Sequence, residues 1–175
     1  MLAKKGISTQ IIDAAKGLDS QPRATHYGPP AVHELARAGV LEDIQAAGFI
    51  AKTVAWRKLD GEYIAGLDGS VLDGTMDQIT CLPLDRLKAL LCKHLARQSA
   101  AKVSWSHKVL NIGQTEDKAW VEVETDEGLK KIEADYIVGC DGANSQIRRS
   151  LFGDLAFPGM TWKQQIVATN VSDPL

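Results

Sequence analysis

The chain has 175 residues, of which 45% are hydrophobic and 24% are charged, and its formal net charge is −2. This composition is typical of a soluble globular domain, and a charge so near zero gives no basic face for a nucleic acid. No run approaches the roughly 20 apolar residues that span a bilayer, and Met1–Gly6 is too short for a secretory leader. We therefore expect a cytoplasmic protein with neither a nucleic-acid nor a membrane partner.

Cysteine and histidine usage indicates neither a disulfide framework nor a metal site. The three cysteines, Cys81, Cys92 and Cys140, are odd in number and form no Cys-x-x-Cys pair, so we expect buried free thiols. The four histidines show no spacing such as His-Glu-x-x-His. No metal ligand is predicted.

The first residues predict the end of a helix followed by a strand. Lys4 and Lys5 suit the negative end of a helix that Gly6 terminates. The β-branched run from Ile7 to Asp13 predicts a strand that ends in a carboxylate. The chain is thus expected to begin in the middle of an element.

Helices and hairpins are predicted next, after a turn-rich loop from Asp19 to Pro30. Apolar residues recur at helical spacing in two short segments and again in a longer one with a basic last turn. Turn dipeptides within Thr53–Leu72 predict short hairpins. The three helices cover approximately residues 30–38, 41–47 and 84–97, and the turns are Asp60-Gly61 and Asp68-Gly69.

The remaining segments read mainly as strands. One is expected at Val103–Val109, and Trp120–Val123 is expected to pair with Leu129–Ile132 across a turn at 126–128. Tyr136–Cys140 predicts a buried strand that runs into Asp141-Gly142 and a short helix from Ser145 to Leu151; a last strand is expected at Gln165–Asn170. Alternating strands and helices at the front, with hairpins in the middle, predict an α/β fold with a parallel core sheet and an antiparallel flap.

Asp13 is the first candidate binding residue. In dinucleotide-binding units an acid at the end of the second strand binds the adenosine ribose, about 20 residues beyond a glycine-rich turn. The residues before Asp13 contain no Gly-x-Gly-x-x-Gly pattern. Taken alone, Asp13 is more simply explained as the polar end of a strand.

The segment that follows Tyr136–Cys140 gives the second candidate. An apolar strand that runs into Asp141-Gly142 lets the backbone approach a ligand closely at the glycine. Asp141 could then accept hydrogen bonds from a polyol. The structural alternative is an ordinary turn between a strand and a helix, with Ser145 as the N-cap.

The stretch Gly139–Arg148, Gly-Cys-Asp-Gly-Ala-Asn-Ser-Gln-Ile-Arg, resembles the "DG" fingerprint of single-component FAD-dependent aromatic hydroxylases related to para-hydroxybenzoate hydroxylase. Lys5–Asp13 resembles the second strand of that family, and Pro22-Arg23-Ala24 with the following helix resembles its Arg-Ala loop. The resemblance implies a partial FAD-binding domain over residues 1–175, with a Rossmann-like sheet of the GR2 type that lacks its first strand and its C-terminal half.

The resemblance also implies a role for each matching residue. Asp13 would hold the adenosine ribose of FAD, Arg23 would lie near the pyrophosphate, and Asp141 with Gly142 would contact the ribitol. Arg148 would support the turn. NAD(P)H would serve as the reductant and O2 as the co-substrate for hydroxylation of an aromatic or polyketide-like molecule, and no catalytic residue is assigned within this chain.

Two departures from the family pattern matter. Many members place Gln or Arg three residues before an apolar helix position that corresponds to Leu87, where this chain has Leu84; Arg86 is expected to face solvent. The glycine-rich loop and the later Gly-Asp motif do not appear in the sequence. We therefore expect a truncated hydroxylase, with a split enzyme that needs a complementary chain and a non-catalytic binding remnant as alternatives.

Overall fold

The computed structural model describes residues 1–21, 23–154, 157–160, 162–165 and 167. The chain divides into two compact units: the first contains Met1–Gln10 and Leu18–Lys102, and the second contains Ile11–Gly17 and Val103–Leu175. Within the described residues, no helix has both the length and the apolar character that a bilayer crossing requires.

Up to residue 104 the structure contains the predicted first strand, three helices and one hairpin, and it adds three two-residue strands that the sequence did not predict. A 3-10 turn at Ala3–Lys5 ends at Gly6, as the two lysines before a glycine predict. The elements after it are β1 (Thr9–Ile12), β2 (His26–Tyr27), α1 (Pro29–Ala38), α2 (Leu41–Ala47), β3 (Phe49–Ile50), β4 (Thr53–Arg57), β5 (Tyr63–Asp68), β6 (Thr80–Cys81), α3 (Leu84–Ala96) and β7 (Ala101–Ser104).

The predicted parallel sheet is present as the pair β1–β7. The amide of Thr9 donates to the carbonyl oxygen of Ala100 at 2.8 Å, and the amide of Asp13 donates to that of Ser104 at 3.0 Å. From the first bond to the second, the donor moves from residue 9 to 13 and the acceptor from 100 to 104. Both strands therefore run in the same direction, and the pair is parallel.

The core of the first unit forms where the apolar stripes of the three helices meet. Val40, Ile44, Leu82 and Leu87 are buried together, and Leu84 packs against them. Removing such side chains from water contributes roughly 1.5–3 kcal/mol each. The helical spacing thus identified Ile44 and Leu87 as buried, whereas Leu91, at the same spacing on α3, is 37% exposed. Val40 and Leu82 lie outside the helices.

A small antiparallel sheet, in the order β2-β6-β3, lies in the same unit. Its central strand is fully enclosed, since Thr80 and Cys81 are buried. Gly48 is required beside it, because a Cβ there would lie 2.0 Å from the carbonyl oxygen of Cys81. The end of α2 thus approaches β6 more closely than any side chain would permit.

The hairpin prediction for Thr53–Leu72 was only half right. β4 and β5 pair antiparallel around the Asp60-Gly61 turn. At Asp68-Gly69, however, the Asp68 carboxylate accepts a hydrogen bond from the Ser70 amide and begins a 3-10 turn at Gly69–Leu72. The local capping bond of Asp68 replaces the second hairpin.

The second unit contains an antiparallel meander and one short helix. Its elements are β8 (Lys108–Gln114), β9 (Ala119–Thr125), β10 (Gly128–Ala134) and α4 (Gln146–Phe152), with the sheet order β10-β9-β8. Val121 pairs with Ile132 as predicted, and Val121 and Val123 are buried. The single strand predicted at Val103–Val109 was wrong, since Trp105–His107 separates β7 from β8.

The buried strand predicted at Tyr136–Cys140 was also wrong. These residues belong to no strand of the described chain, and the side chains of Tyr136 and Val138 are 89% and 77% exposed. Apolar content alone does not make a strand, because a strand also requires a partner for its backbone groups. No neighbouring segment within the described residues supplies that partner.

Two further expectations concern the cysteine thiols and the C-terminal segment. Cys81 is buried and Cys92 is partly buried, but Cys140 is exposed, so the expectation of buried thiols was wrong for Cys140. The strand predicted at Gln165–Asn170 lies outside the described residues, apart from Gln165 and Val167.

Replacing Ile44 with alanine should lower the free energy of unfolding by about 2–5 kcal/mol, because a fully buried side chain would leave a cavity behind. The control is Leu59→Ala in the β4–β5 turn, where the side chain is fully exposed and the change should stay within about 0.5 kcal/mol. Urea denaturation followed by far-UV circular dichroism measures both. Equal effects at the two positions would contradict this core.

Candidate functional site

Asp13 directly follows β1, in a loop that is fixed by hydrogen bonds of the second unit. The carbonyl oxygen of Asp13 accepts from the amide of His107, and that of Ala15 accepts from the amide of Ser106, both at 2.8 Å. The Asp13 carboxylate accepts from the Ala15 amide through Oδ1 at 2.8 Å and remains exposed. The carboxylate is therefore held at the surface in a defined orientation.

The loop Trp105–His107 is a feature that the sequence reasoning missed. Ser106 has a φ of 54°, a left-handed conformation that is uncommon outside glycine and often marks functional positions. The His107 ring donates from Nδ1 to the carbonyl oxygen of Trp105 at 2.6 Å, since a carbonyl can only accept. The only sequence signal was the polar break Ser106-His107 within an apolar run.

A cleft of about 350 Å³ lies beside the Asp13 loop, within the second unit. Its volume falls in the range of small-molecule sites. Polar side chains and charged side chains of both signs line the cleft, which therefore suits a polar ligand better than a hydrocarbon. Its walls are formed by Ala14, Lys16, Ser106, Lys108, Glu124, Thr125 and Asp126.

The Asp141 carboxylate is held by the turn that precedes α4. Oδ1 accepts from the Ser145 hydroxyl at 2.6 Å, and Oδ2 accepts from the Ile147 amide at 3.1 Å. Desolvation raises the pKa of Asp141, but the hydrogen bonds from Ser145, Ile147 and Gln146 together outweigh it, so the pKa lies below its ordinary value. The group is thus an exposed, ionised and oriented hydrogen-bond acceptor.

Gly142 leaves room for a ligand at the same turn. Its φ is 79°, and a Cβ placed there would meet no atom within 4 Å. A glycine is therefore favoured here by the positive φ and not by crowding, and the space beside it is open to another molecule. Ser145 caps α4 by accepting from the amide of Arg148 at 3.0 Å, which is the cap that the structural alternative expected.

The Arg148 side chain, on α4, carries two buried hydrogen-bond donors. Its Nε and Nη1 are buried, and no described residue accepts a hydrogen bond from them. The guanidinium lies over the ring of Phe157, 4.9 Å from the ring centre. Buried donors without partners are costly.

Arg23 lies in the first unit, whereas Asp13, Asp141 and Gly142 lie in the second. Its guanidinium is largely exposed and donates from Nη2 to the Asp19 carboxylate at 2.8 Å.

The structure supplies no replacement on α3 for the Gln or Arg that many family members have at the position of Leu84. Leu84 packs against the hydrophobic core, and Arg86 is exposed, as expected.

Comparison with known proteins gives one family. The family model described as an FAD binding domain matches residues 1–174. Para-nitrophenol 4-monooxygenase from Pseudomonas sp. (strain WBC-3) is 33% identical over 174 residues, which are 97% of this chain and 42% of that protein. The 6-hydroxy-3-succinoylpyridine 3-monooxygenase HspB of Pseudomonas putida (strain DSM 28022 / S16) is also 33% identical, over 97% of this chain and 43% of its own length.

Solved structures show the same fold. The crystal structure of p-nitrophenol 4-monooxygenase PnpA from Pseudomonas putida DLL-E4 superposes with a TM-score of 0.85 and 30% identity, over 92% of this chain and 41% of that one. The flavin-dependent monooxygenase PieE, solved with FAD and substrate, shares only the fold, with a TM-score of 0.76, 16% identity, and coverage of 86% of this chain and 28% of its own. The chain spans less than half of each of these proteins.

Replacing Ser145 with alanine should raise the pKa of Asp141 toward its ordinary value and destabilise α4 by about 1 kcal/mol, since the serine both caps the helix and donates to the carboxylate. A lowered carboxyl pKa stabilises the fold above the ordinary carboxyl pKa, and this contribution is lost as the pH falls through the lowered value. The variant should therefore lose less stability on acidification.

NMR titration of Asp141 and denaturation at several acidic pH values measure these effects. Ser150→Ala, at an exposed position of the same helix, is the matched control. An unchanged Asp141 titration in Ser145→Ala would contradict the assigned hydrogen bond.

Proposed function

Because the chain belongs to the FAD binding domain family, we propose that it binds FAD as part of a flavin-dependent monooxygenase that hydroxylates an aromatic or polyketide-like molecule. Its 175 residues would form part of the FAD-binding domain of that enzyme. The setting is cytoplasmic, and no nucleic acid takes part.

The turn Asp141-Gly142 is the observation that carries the proposal. An exposed carboxylate, oriented by Ser145 and the Ile147 amide, matches the hydroxyl groups of a ribitol chain. The open backbone of Gly142 allows the ligand to approach without a side chain in the way. The pair would bind the flavin end of the cofactor.

Two other residues take roles at the remaining parts of FAD. Asp13, fixed through its loop to Ser106 and His107, would accept the ribose hydroxyls of the adenosine. The cleft next to it supports binding of this half of the molecule. Arg23 would pair with the pyrophosphate, since a guanidinium matches phosphate geometry and charge.

Bound FAD would supply the redox chemistry, with NAD(P)H as the reductant and O2 as the co-substrate. This chain's residues bind and orient the cofactor, and we assign none of them a direct part in hydroxylation. Relatives named for a nitrophenol and for a hydroxylated pyridine support an aromatic substrate.

A second candidate function is half of a split enzyme that needs a complementary polypeptide. The segment Tyr136–Cys140 favours it, because Tyr136 and Val138 are exposed and the segment pairs with no strand among the described residues. An apolar segment of this kind can bind an added strand. The chain also spans only 42% of a relative that it matches along nearly its whole length. A non-catalytic binding remnant would show the same unpaired segment, but no cofactor.

Replacing Asp141 with asparagine should weaken FAD binding about tenfold to hundredfold, which is the effect expected for hydrogen bonds to a charged group. Titration of FAD fluorescence against the purified chain measures the dissociation constant. Asp117→Asn, at an exposed position in the β8–β9 turn, is the matched control and should bind FAD like the parent. The proposal fails if Asp141→Asn and Asp117→Asn bind FAD equally.

The chain as purified should contain well below one equivalent of FAD, because Tyr136–Cys140, beside Asp141, pairs with no strand in the described part of the chain and leaves part of the site unsupported. The visible spectrum of the purified protein measures the flavin content directly. A flavin band near one equivalent would show that the chain alone builds a complete cofactor site, and the split-enzyme alternative would then fall.

A further inference from the structure

Two cationic side chains of the first unit converge on one residue, Asp19. Arg23 donates from Nη2 to the Asp19 carboxylate at 2.8 Å. Lys88, on the second turn of α3, donates from Nζ to the carbonyl oxygen of the same residue at 2.5 Å. A loop residue and a helix residue that are 65 positions apart thus present their charges at one place.

The two contacts differ in their electrostatic effect. The Asp19 carboxylate pairs directly with Arg23, whereas the carbonyl oxygen that Lys88 contacts carries no net charge, so two cations share one carboxylate. The hydrogen bond to Gln21, together with Arg23 and Lys88, outweighs desolvation and lowers the pKa of Asp19, so its carboxyl is ionised at neutral pH. Two positive charges and one negative charge leave the cluster with a net charge of about +1.

A ligand can also replace Asp19 as the ionic partner of Arg23. The Arg23–Asp19 pair joins two solvent-exposed side chains four residues apart, and such pairs contribute little to stability. Lys88 is partly buried and, among the described residues, donates one hydrogen bond, to the Asp19 carbonyl oxygen. An ammonium group has three hydrogens, so it can donate to a further acceptor as well. An anion would find both cations already positioned.

We propose that Lys88 and Arg23 together bind the diphosphate bridge of a dinucleotide, with Lys88 as a second cation that contacts the phosphate directly. This assignment rests on the proposed function, which places Arg23 beside the cofactor pyrophosphate. A phosphate oxygen would replace the Asp19 carboxylate as the charged partner of Arg23. Lys88 would remain bonded to the Asp19 carbonyl, which keeps its ammonium at the site.

A diphosphate bridge is common to FAD and to NAD(P)H, so the test includes both as ligands. Binding to the 175-residue chain is measured for FAD and NADPH by fluorescence, and for inorganic pyrophosphate by calorimetry. Lys88→Met should weaken FAD binding about tenfold to hundredfold, and Lys88→Arg should restore most of the affinity. Riboflavin, which lacks phosphate, should show no difference. NADPH affinity falls in Lys88→Met only if the site serves the nicotinamide cofactor.

Arg86→Met is the matched control, because Arg86 is an exposed cation two positions earlier on the same helix. A double-mutant cycle with Arg23→Met then separates contact from positioning. If Lys88 contacts phosphate, Lys88→Met should still weaken binding when Arg23 is absent. If Lys88 only holds the Arg23 loop in place, its replacement should cost nothing in that background, and the proposal is overturned.

The remaining outcomes separate this inference from the proposed function. FAD binding that is equal in Lys88→Met and Arg86→Met overturns the role of Lys88 and leaves the flavin assignment intact. Pyrophosphate binding that depends on Lys88, without any FAD binding, supports the anion site and overturns the flavin assignment. If the parent chain binds none of these ligands, both proposals fall.

Discussion

A carboxylate can present its oxygens to a ligand only if the backbone that carries it is fixed, and this constraint governs the second unit. Asp141 is fixed by the Ser145 hydroxyl and the Ile147 amide, so its position depends on the start of α4. Asp13 is fixed by backbone bonds from its loop to Ser106 and His107. In both places an exposed carboxylate is held in position by hydrogen bonds within its own unit.

Local patterns in the sequence were sufficient for the helices and for two hairpins, β4–β5 and β9–β10. The spacing of apolar residues predicted α1, α2 and α3 and, within them, the buried residues Val32, Ile44 and Leu87, because a period of 3.6 residues is a property of a single segment. The Asp141–Ser145 turn was also predictable, since a serine cap followed by a helix needs only a few neighbouring residues. For these elements the determining interactions lie within a few residues of each other.

Strands were predicted less well, because a strand depends on a partner that the local sequence does not reveal. The run Val103–Val109 has strand-forming composition, yet Ser106 turns into a left-handed conformation so that its loop can bond to Asp13 and Ala15. Tyr136–Cys140 has the most apolar strand pattern in the chain but has no partner among the described residues. In both cases contacts distant in sequence, or their absence, decided the structure.

The site shows the same division between local and distant information. Asp141 and Gly142 could be selected from their motif, whereas the Arg148 donors that lack acceptors among the described residues, and the bond from Lys88 to Asp19, appear only in three dimensions. Buried donors without acceptors lower the stability of a fold. Arg148 lies in the first turn of α4, which also supplies the Ile147 amide to Asp141. An acceptor supplied to the Arg148 donors would therefore stabilise α4 and, with it, the turn that holds Asp141.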